Sequence, residues 1–164
     1  MTEPAQPSVE LHVIVPAEAQ RIVDGAPLPD DRWHREYPLA DELDVLRPLA
    51  IDPAPDPVFG LMMIRDASDG LAVGGIGFFG PPDADGAVEV GYGLVPAARG
   101  RGIAGAALTQ AIAIAAAHGV RVVRADTDPA NLPSSRVLER AGFRELPASD
   151  GLRHFELTLP RDLG

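Results

Sequence analysis

The sequence predicts an α/β fold with one mixed central sheet, and three observations predict it. Strand-length apolar segments cluster between Val58 and Val95 and recur after Gly119. Helix-length segments separate them, the longest an Ala-rich run that stops at Gly119. Size and balance are those of one globular domain: 164 residues, 46% hydrophobic and 23% charged, enough chain to bury a core without staples.

The elements follow in order. Residues 1–7 read as a disordered tail and 8–164 as the domain. Val9 to Val15 alternates loosely and is expected as a strand. Pro16 to Val23 follows as a short helix with proline at its first position. A loop and the stretch Trp33-His34-Arg35-Glu36-Tyr37-Pro38 lead to a helix around Ala40 to Leu49. Pro53, Pro55 and Pro57 then keep the chain extended. Val58 to Arg65 and Leu71 to Phe79 flank the turn formers of Asp66 to Gly70 and read as a hairpin. Ala87 to Val95 is a third strand, and short loops make the three antiparallel neighbours. The Ala-rich helix, from about Gly102 to His118, is apolar on nearly every face and is expected to be well buried against the sheet. Val120 to Asp126 is a strand, Pro133 to Ala141 a helix, and Phe143 to Leu146 and Leu152 to Leu159 two closing strands.

Composition removes several chemistries. Without cysteine there are no disulfides, thiolate metal sites or cysteine nucleophile. The four histidines, His12, His34, His118 and His154, lack ligand spacing, so no metal is expected. A net charge of -10 argues against nucleic acid as a partner. No apolar run reaches the roughly 18 residues of a membrane span, and no signal-peptide pattern opens the chain, so a cytoplasmic protein is expected. All fourteen basic residues are arginine, read as the coding bias of a GC-rich genome; without lysine there is neither a Walker A loop nor a Schiff base. Asn131 is the single asparagine.

The chemistry concentrates in Arg99-Gly100-Arg101-Gly102-Ile103-Ala104-Gly105, between a strand and a helix. Glycines let a ligand approach the backbone, a helix start offers unpaired N–H groups, and two arginines add charge. Together these suit a phosphate or pyrophosphate; the alternative is a tight turn packed on the sheet. Gly100-x-Gly102-x-x-Gly105 also matches the dinucleotide fingerprint, with Asp126 where a ribose-binding acid would stand. That reading fails on context. The loop follows an antiparallel meander, starts several residues after its strand, and leaves about 60 residues for the rest of such a domain.

Val88-Glu89-Val90-Gly91-Tyr92-Gly93-Leu94-Val95-Pro96 and the loop after it resemble the GCN5-related N-acetyltransferases (GNAT). The family pattern Q/R-x-x-G-x-G/A falls on Arg99, Gly102 and Ala104. A second motif falls on Asn131, Ser134, Leu138 and Gly142-Phe143. The resemblance is specific over about Val88 to Phe143 and loose over 1–57. It implies a twisted, mostly antiparallel sheet of about six or seven strands with about four helices. The Asn-x-x-Ser spacing and the Trp33 to Pro38 stretch look most like the branch with the ribosomal-protein N-terminal acetyltransferases.

The resemblance further implies acetyl-CoA as donor and an amine as acceptor. Arg99, Gly100, Arg101, Gly102, Ile103, Ala104 and Gly105 would hold the pyrophosphate. Leu94 and Val95 would pair with the pantetheine arm, and the Leu94 N–H would face the oxyanion. Asn131 would bond the arm or cap the next helix, or both. Without cysteine an acetyl-cysteine relay is impossible, so direct transfer in a ternary complex is the expected route. Glu89, the one acid of its strand, is the candidate base, against the alternative of a solvent-facing residue. Many relatives carry a tyrosine acid where this chain has Leu138, so Ser134 is the candidate acid near the sulfur, or else a first-turn serine; Tyr92 is a second candidate. Trp33 and Tyr37 are expected at the acceptor site, with His34 and the Pro-rich loop, although Trp33 also suits a core anchor. Glu36, Asp41 and Glu42 would attract a cationic amine or simply face solvent. Two rival functions are an acyl-CoA-binding module without catalysis and a nicotinamide-dependent oxidoreductase. A homodimer through strand edges is compatible with the family.

Overall fold

The computed structural model describes residues 7–160, so the tail expected over 1–7 lies outside the described residues except for Pro7. Strand β1 (Val9–Val13) leads into helix α1 (Pro16–Asp24), then α2 (Leu43–Ala50). The meander β2 (Leu61–Asp66), β3 (Ala72–Phe78) and β4 (Ala87–Leu94) follows. Helix α3 (Ile103–Ala117), β5 (Val122–Thr127), α4 (Leu132–Arg140), β6 (Arg144–Ser149) and β7 (Leu152–Thr158) complete the chain. The strands form one seven-stranded sheet in the order β1-β2-β3-β4-β5-β7-β6. Every neighbouring pair is antiparallel except β4–β5. The expected fold class is therefore the observed one.

Local chemistry sets the boundaries. Helix α1 opens on a proline at its start and closes on Gly25 at φ 63, whose N–H bonds back to the last-turn carbonyls. The helix expected from Ala40 begins as a 3-10 turn, Ala40–Glu42, before α2 proper. Strand β2 starts at Leu61 rather than Val58 because the Asp56 carboxylate accepts the N–H groups of Val58 (2.8 Å) and Phe59 (2.9 Å) and folds them into a turn. Strand β6 runs past Leu146 to Ser149, with a register shift around Pro147 that an edge strand tolerates. Asp150 and Gly151, both at positive φ, close its hairpin with β7.

Burial of α3 differs from the expectation. Ile103, Ala106, Ala107, Leu108, Ala111 and Ala115 are buried, but Ala113, Ala116 and Ala117 face solvent. One face packs on the sheet; alanines fill the other because they favour helix at little cost in exposed apolar area. The core runs continuously from Ile22 and Leu46 through Met63 and Ile76 to Val123, Leu138 and Phe155.

Register assigns the two faces of the sheet. Gly75 pairs with Gly93 and Gly77 with Gly91, so all four share a face with Glu89, two residues before Gly91. The α1–α2 layer covers part of this face. A Cβ on Gly93 would meet Leu39 Cδ1 at 3.0 Å, and one on Gly75 would meet Glu42 Oε1 at 2.9 Å. The other face carries Val88, Val90, Tyr92 and Leu94 toward α3 and α4.

Glu42, expected to meet a cationic amine or solvent, is instead buried in the 3-10 turn before α2. It is 8% exposed, and neither carboxylate oxygen has a hydrogen-bond partner. Burial pushes it up to about 7, from an ordinary 4.5. The folded state thus binds the proton more tightly than the unfolded state. The contribution of Glu42 to stability is highest below pH 4.5 and falls as the pH rises toward 7, by about 3 kcal/mol at most. Glu42→Gln removes this titration. Relative to the parent, the variant gains stability between pH 4 and pH 8 in denaturant unfolding; a pH-independent difference would contradict the burial of an ionisable Glu42.

Candidate active site

The site begins where two strands part. Parallel pairing between β4 and β5 covers only Ala87 to Glu89 against Val122 to Arg124. Strand β4 then stays with β3 as far as Leu94 and leaves β5 behind. Phe79 N–H bonds the Glu89 carbonyl and Val95 N–H bonds the Val73 carbonyl, so odd-numbered residues of β4 turn their backbone groups toward β3. Tyr92 and Leu94 therefore turn theirs into the gap. The Leu94 carbonyl is taken there by Arg99 Nε at 3.1 Å, and the Leu94 N–H faces the opening. Val95 does not reach the gap: its N–H is spent on Val73, and its side chain is fully buried.

The glycine-rich loop sits at one end of the gap. Gly100 and Gly102 take φ of 75 and 81, values that favour glycine. Gly102 is the N-cap of α3 and offers no side chain, so the first N–H groups of the helix stay available to an anion. A Cβ on Gly100 or Gly105 would meet nothing within 4 Å, which leaves this surface open. The two arginines divide. Arg99 lines the cleft, whereas Arg101 turns away and ion-pairs with the buried Asp66 at 2.8 Å. Arg101 thus anchors the loop to the end of β2, a correction to its expected place on a phosphate. The reason is Asp66: its carboxylate accepts from the Ser68 Oγ and N–H, and these bonds hold a negative charge where Arg101 emerges, against the cost of burying it.

The cleft on the α3–α4 face encloses about 850 Å³. Tyr92, Gly93 and Leu94 form its floor; Gly100, Gly102, Ile103, Ala104 and Gly105 form one wall. Asn131, Ser134, Arg136 and Arg140 form the other. Three arginines against one aspartate, Asp128, make the cleft cationic in a chain of net charge -10. Arg136 and Arg140 escaped the sequence reading, although their i, i+4 spacing just after Asn131 is a legible signal. Asn131 is the N-cap of α4, its Oδ1 accepting the Ser134 N–H at 3.2 Å. Tyr92 bridges the gap to α4, with its hydroxyl 3.1 Å from Ser134 Oγ. Burial raises the Tyr92 phenol, keeping its proton in place.

A second cleft, of about 370 Å³, opens on the opposite face. Glu89 stands in it with Asp126 and His154, beneath Phe79, Gly80 and Pro81. Glu89 is solvent-exposed within this cleft, as its alternative reading expected, and partial desolvation first and the Asp126 carboxylate second raise it from its ordinary value. Strand β4 thus presents Tyr92 to one cleft and Glu89 to the other. Asp126 and His154, which sequence spacing had not joined, meet because β5 and β7 pair them.

Trp33 and Tyr37 line neither cleft. Their segment runs beside the start of β3, with His34 N–H on the Ala72 carbonyl at 2.9 Å, and their rings pack 6.1 Å apart. Tyr37 is buried in the core and Trp33 packs against it. Leu138, at the position where a tyrosine was sought, is fully buried and offers no proton. Glu36 accepts the Ala97 N–H at 3.1 Å, tying this segment to the turn before α3. Among the described residues no group of three or more acidic or histidine side chains is placed to hold a metal, and no helix is long and apolar enough to cross a membrane.

Comparison with known proteins identifies the family. The profile of the acetyltransferase (GNAT) domain matches residues 14–144. The chain therefore belongs to the GNAT acetyltransferase family, whose members use acetyl-CoA. Several solved structures share the fold. An acetyltransferase from Agrobacterium tumefaciens is 21% identical with a TM-score of 0.63, covering 97% of this chain and 96% of that one. Mycobacterium smegmatis RimJ in complex with CoA-disulfide is 20% identical with a TM-score of 0.62, covering 92% and 81%. A spermidine N-acetyltransferase SpeG chimera from Vibrio cholerae and hSSAT is 15% identical with a TM-score of 0.64, covering 92% and 95%. No curated protein gives a significant match.

The cap at Asn131 is separable from any ligand contact. Asn131→Ala should cost about 1 kcal/mol in urea unfolding, while Asn131→Asp, an equal cap, should cost almost nothing. Equal losses in both variants would show that the cap contributes nothing to stability.

Proposed function

We propose that the protein is an N-acetyltransferase that moves an acetyl group from acetyl-CoA to a primary amine by direct attack in a ternary complex. One observation carries this reading: β4 parts from β5 between two clefts, one cationic and glycine-walled, the other acidic at its base. The first suits the donor. Its glycine loop and helix start offer N–H groups to a pyrophosphate, and Arg99, Arg136 and Arg140 supply positive charge. The Leu94 N–H and the edge of β4 are available to an extended arm, as an added strand would use them.

The second cleft suits the acceptor. Glu89, its proton affinity raised, takes a proton from the ammonium and leaves a neutral amine. The amine attacks the thioester carbonyl through the gap. A C–N bond forms, the C–S bond breaks, and the Leu94 N–H stabilises the oxyanion. Tyr92, backed by Ser134, returns a proton to the departing sulfur, the role for which Leu138 is unsuited. The acceptor itself belongs to the broad class of cationic amines. The whole reaction is assigned to the single domain expected over 8–164.

Calorimetry with acetyl-CoA tests the donor half. Gly105→Glu places a carboxylate in open space on the first turn of α3, where an acid suits the helix dipole. The variant should fold as the parent does and bind acetyl-CoA at least about thirtyfold more weakly. Arg101→Gln should lose less, within about tenfold, because its guanidinium lies on the buried Asp66 and reaches the ligand only through the loop it holds. Glu89→Gln should bind normally and lose about a hundredfold or more in turnover. Unchanged binding by Gly105→Glu would contradict the assigned cleft.

A further inference from the structure

The cleft around Glu89 holds a side-chain chain that the transfer reaction above does not use. His154 Nδ1 lies 2.5 Å from Asp126 Oδ1, and its Nε2 lies 2.9 Å from Ser149 Oγ and 3.0 Å from the Ser149 carbonyl. Both ring nitrogens are thereby engaged, and the imidazole is fixed in place at the edge of the β6–β7 hairpin. Asp126 and Glu89 project from neighbouring strands on the same face: Glu89 is in register with Arg124, and Asp126 is two residues further along β5.

We infer that Asp126 and His154 are positioning residues for Glu89: His154, clamped by Ser149, holds the Asp126 carboxylate against Glu89, and the pair sets how readily Glu89 takes the proton of the incoming amine. This rests on the assignment of Glu89 as base.

The electrostatic surroundings support the inference. The Asp126 carboxylate raises Glu89, and His154 lowers it. Asp126 in turn raises His154 through their hydrogen bond, favouring the imidazolium. The other charged groups near Glu89 largely neutralise one another. Arg124, opposite it on β5, pairs with Glu156 of β7 at 3.3 Å and with Asp83 of the β3–β4 connection at 3.9 Å; Glu156 also pairs with Arg144 of β6 at 3.3 Å. Asp126 and His154 therefore exert opposed influences on one base. The carboxylate makes Glu89 a better proton acceptor, and the imidazolium limits that effect, so that the base is not already protonated before the amine arrives.

Opposed influences give a test that loss of structure cannot imitate. The Glu89 side-chain carboxyl is followed by carbon NMR across pH in the full chain, in the parent and in Asp126→Asn and His154→Gln, with Glu89→Gln used to assign the signal. Asp126→Asn should lower the Glu89 midpoint by about 0.5 pH unit or more, and His154→Gln should raise it by a similar amount. The acid limb of kcat/KM, measured with acetyl-CoA and spermidine or a seryl peptide, should move in the same two directions. Midpoints that do not move, or that move together, overturn the inference. If the NMR midpoints separate and no amine is acetylated, the coupling stands and the assignment of Glu89 as a catalytic base fails.

Discussion

The parting of β4 from β5 is the constraint on which the rest of the molecule depends. A sheet interior that opens leaves backbone donors and acceptors without partners, which a fold accepts only where something else can meet them. Here Arg99 meets the Leu94 carbonyl, Tyr92 spans to Ser134, and the remaining edge faces a cleft. The glycines at 91 and 93 belong to the same arrangement. Side chains there would strike Phe79 and Leu39, the groups that roof the opposite face. The opening is thus held from both sides, by α3 and α4 on one and by the α1–α2 layer on the other.

Charge is distributed unevenly between the two clefts. The chain is strongly acidic overall, yet the glycine-walled cleft is lined by three arginines and the first turn of a helix. The cleft on the opposite face keeps Glu89, Asp126 and Asp83 against Arg124 and His154. Under the proposed function the cations of the first draw an anionic donor, while the carboxylates of the second favour an ammonium. Arg101 contributes to neither. Its ion pair with the buried Asp66 fixes the loop that presents the N–H groups, so its influence on binding passes through the backbone.

What was legible in the sequence was local. The glycine loop, the helix stop at Gly119 and the cap at Asn131 each depend on residues a few positions apart, and each is found where its chemistry put it. Glu89 was legible as the one acid in its strand. What escaped depends on long-range register. Arg99 and Arg101 are the same residue type two positions apart, and only Asp66, 35 residues away, tells them apart. Asp126 and His154 come together through β5–β7 pairing across 28 residues. Trp33 and Tyr37 suit a binding site or a core equally well by composition, and their place beside Ala72 decides for the core.

The central claim is that the donor runs from the glycine loop through the gap between β4 and β5 toward Glu89. A crystal structure with acetyl-CoA tests it most directly. The pyrophosphate should lie on the N–H groups between Gly100 and Gly105, and the arm should pair with the edge at Leu94. The sulfur should lie within hydrogen-bond reach of the Tyr92 hydroxyl, with the acetyl group exposed to the cleft that holds Glu89. An acetyl-CoA molecule seated elsewhere, with the gap closed and the loop empty, would contradict the claim.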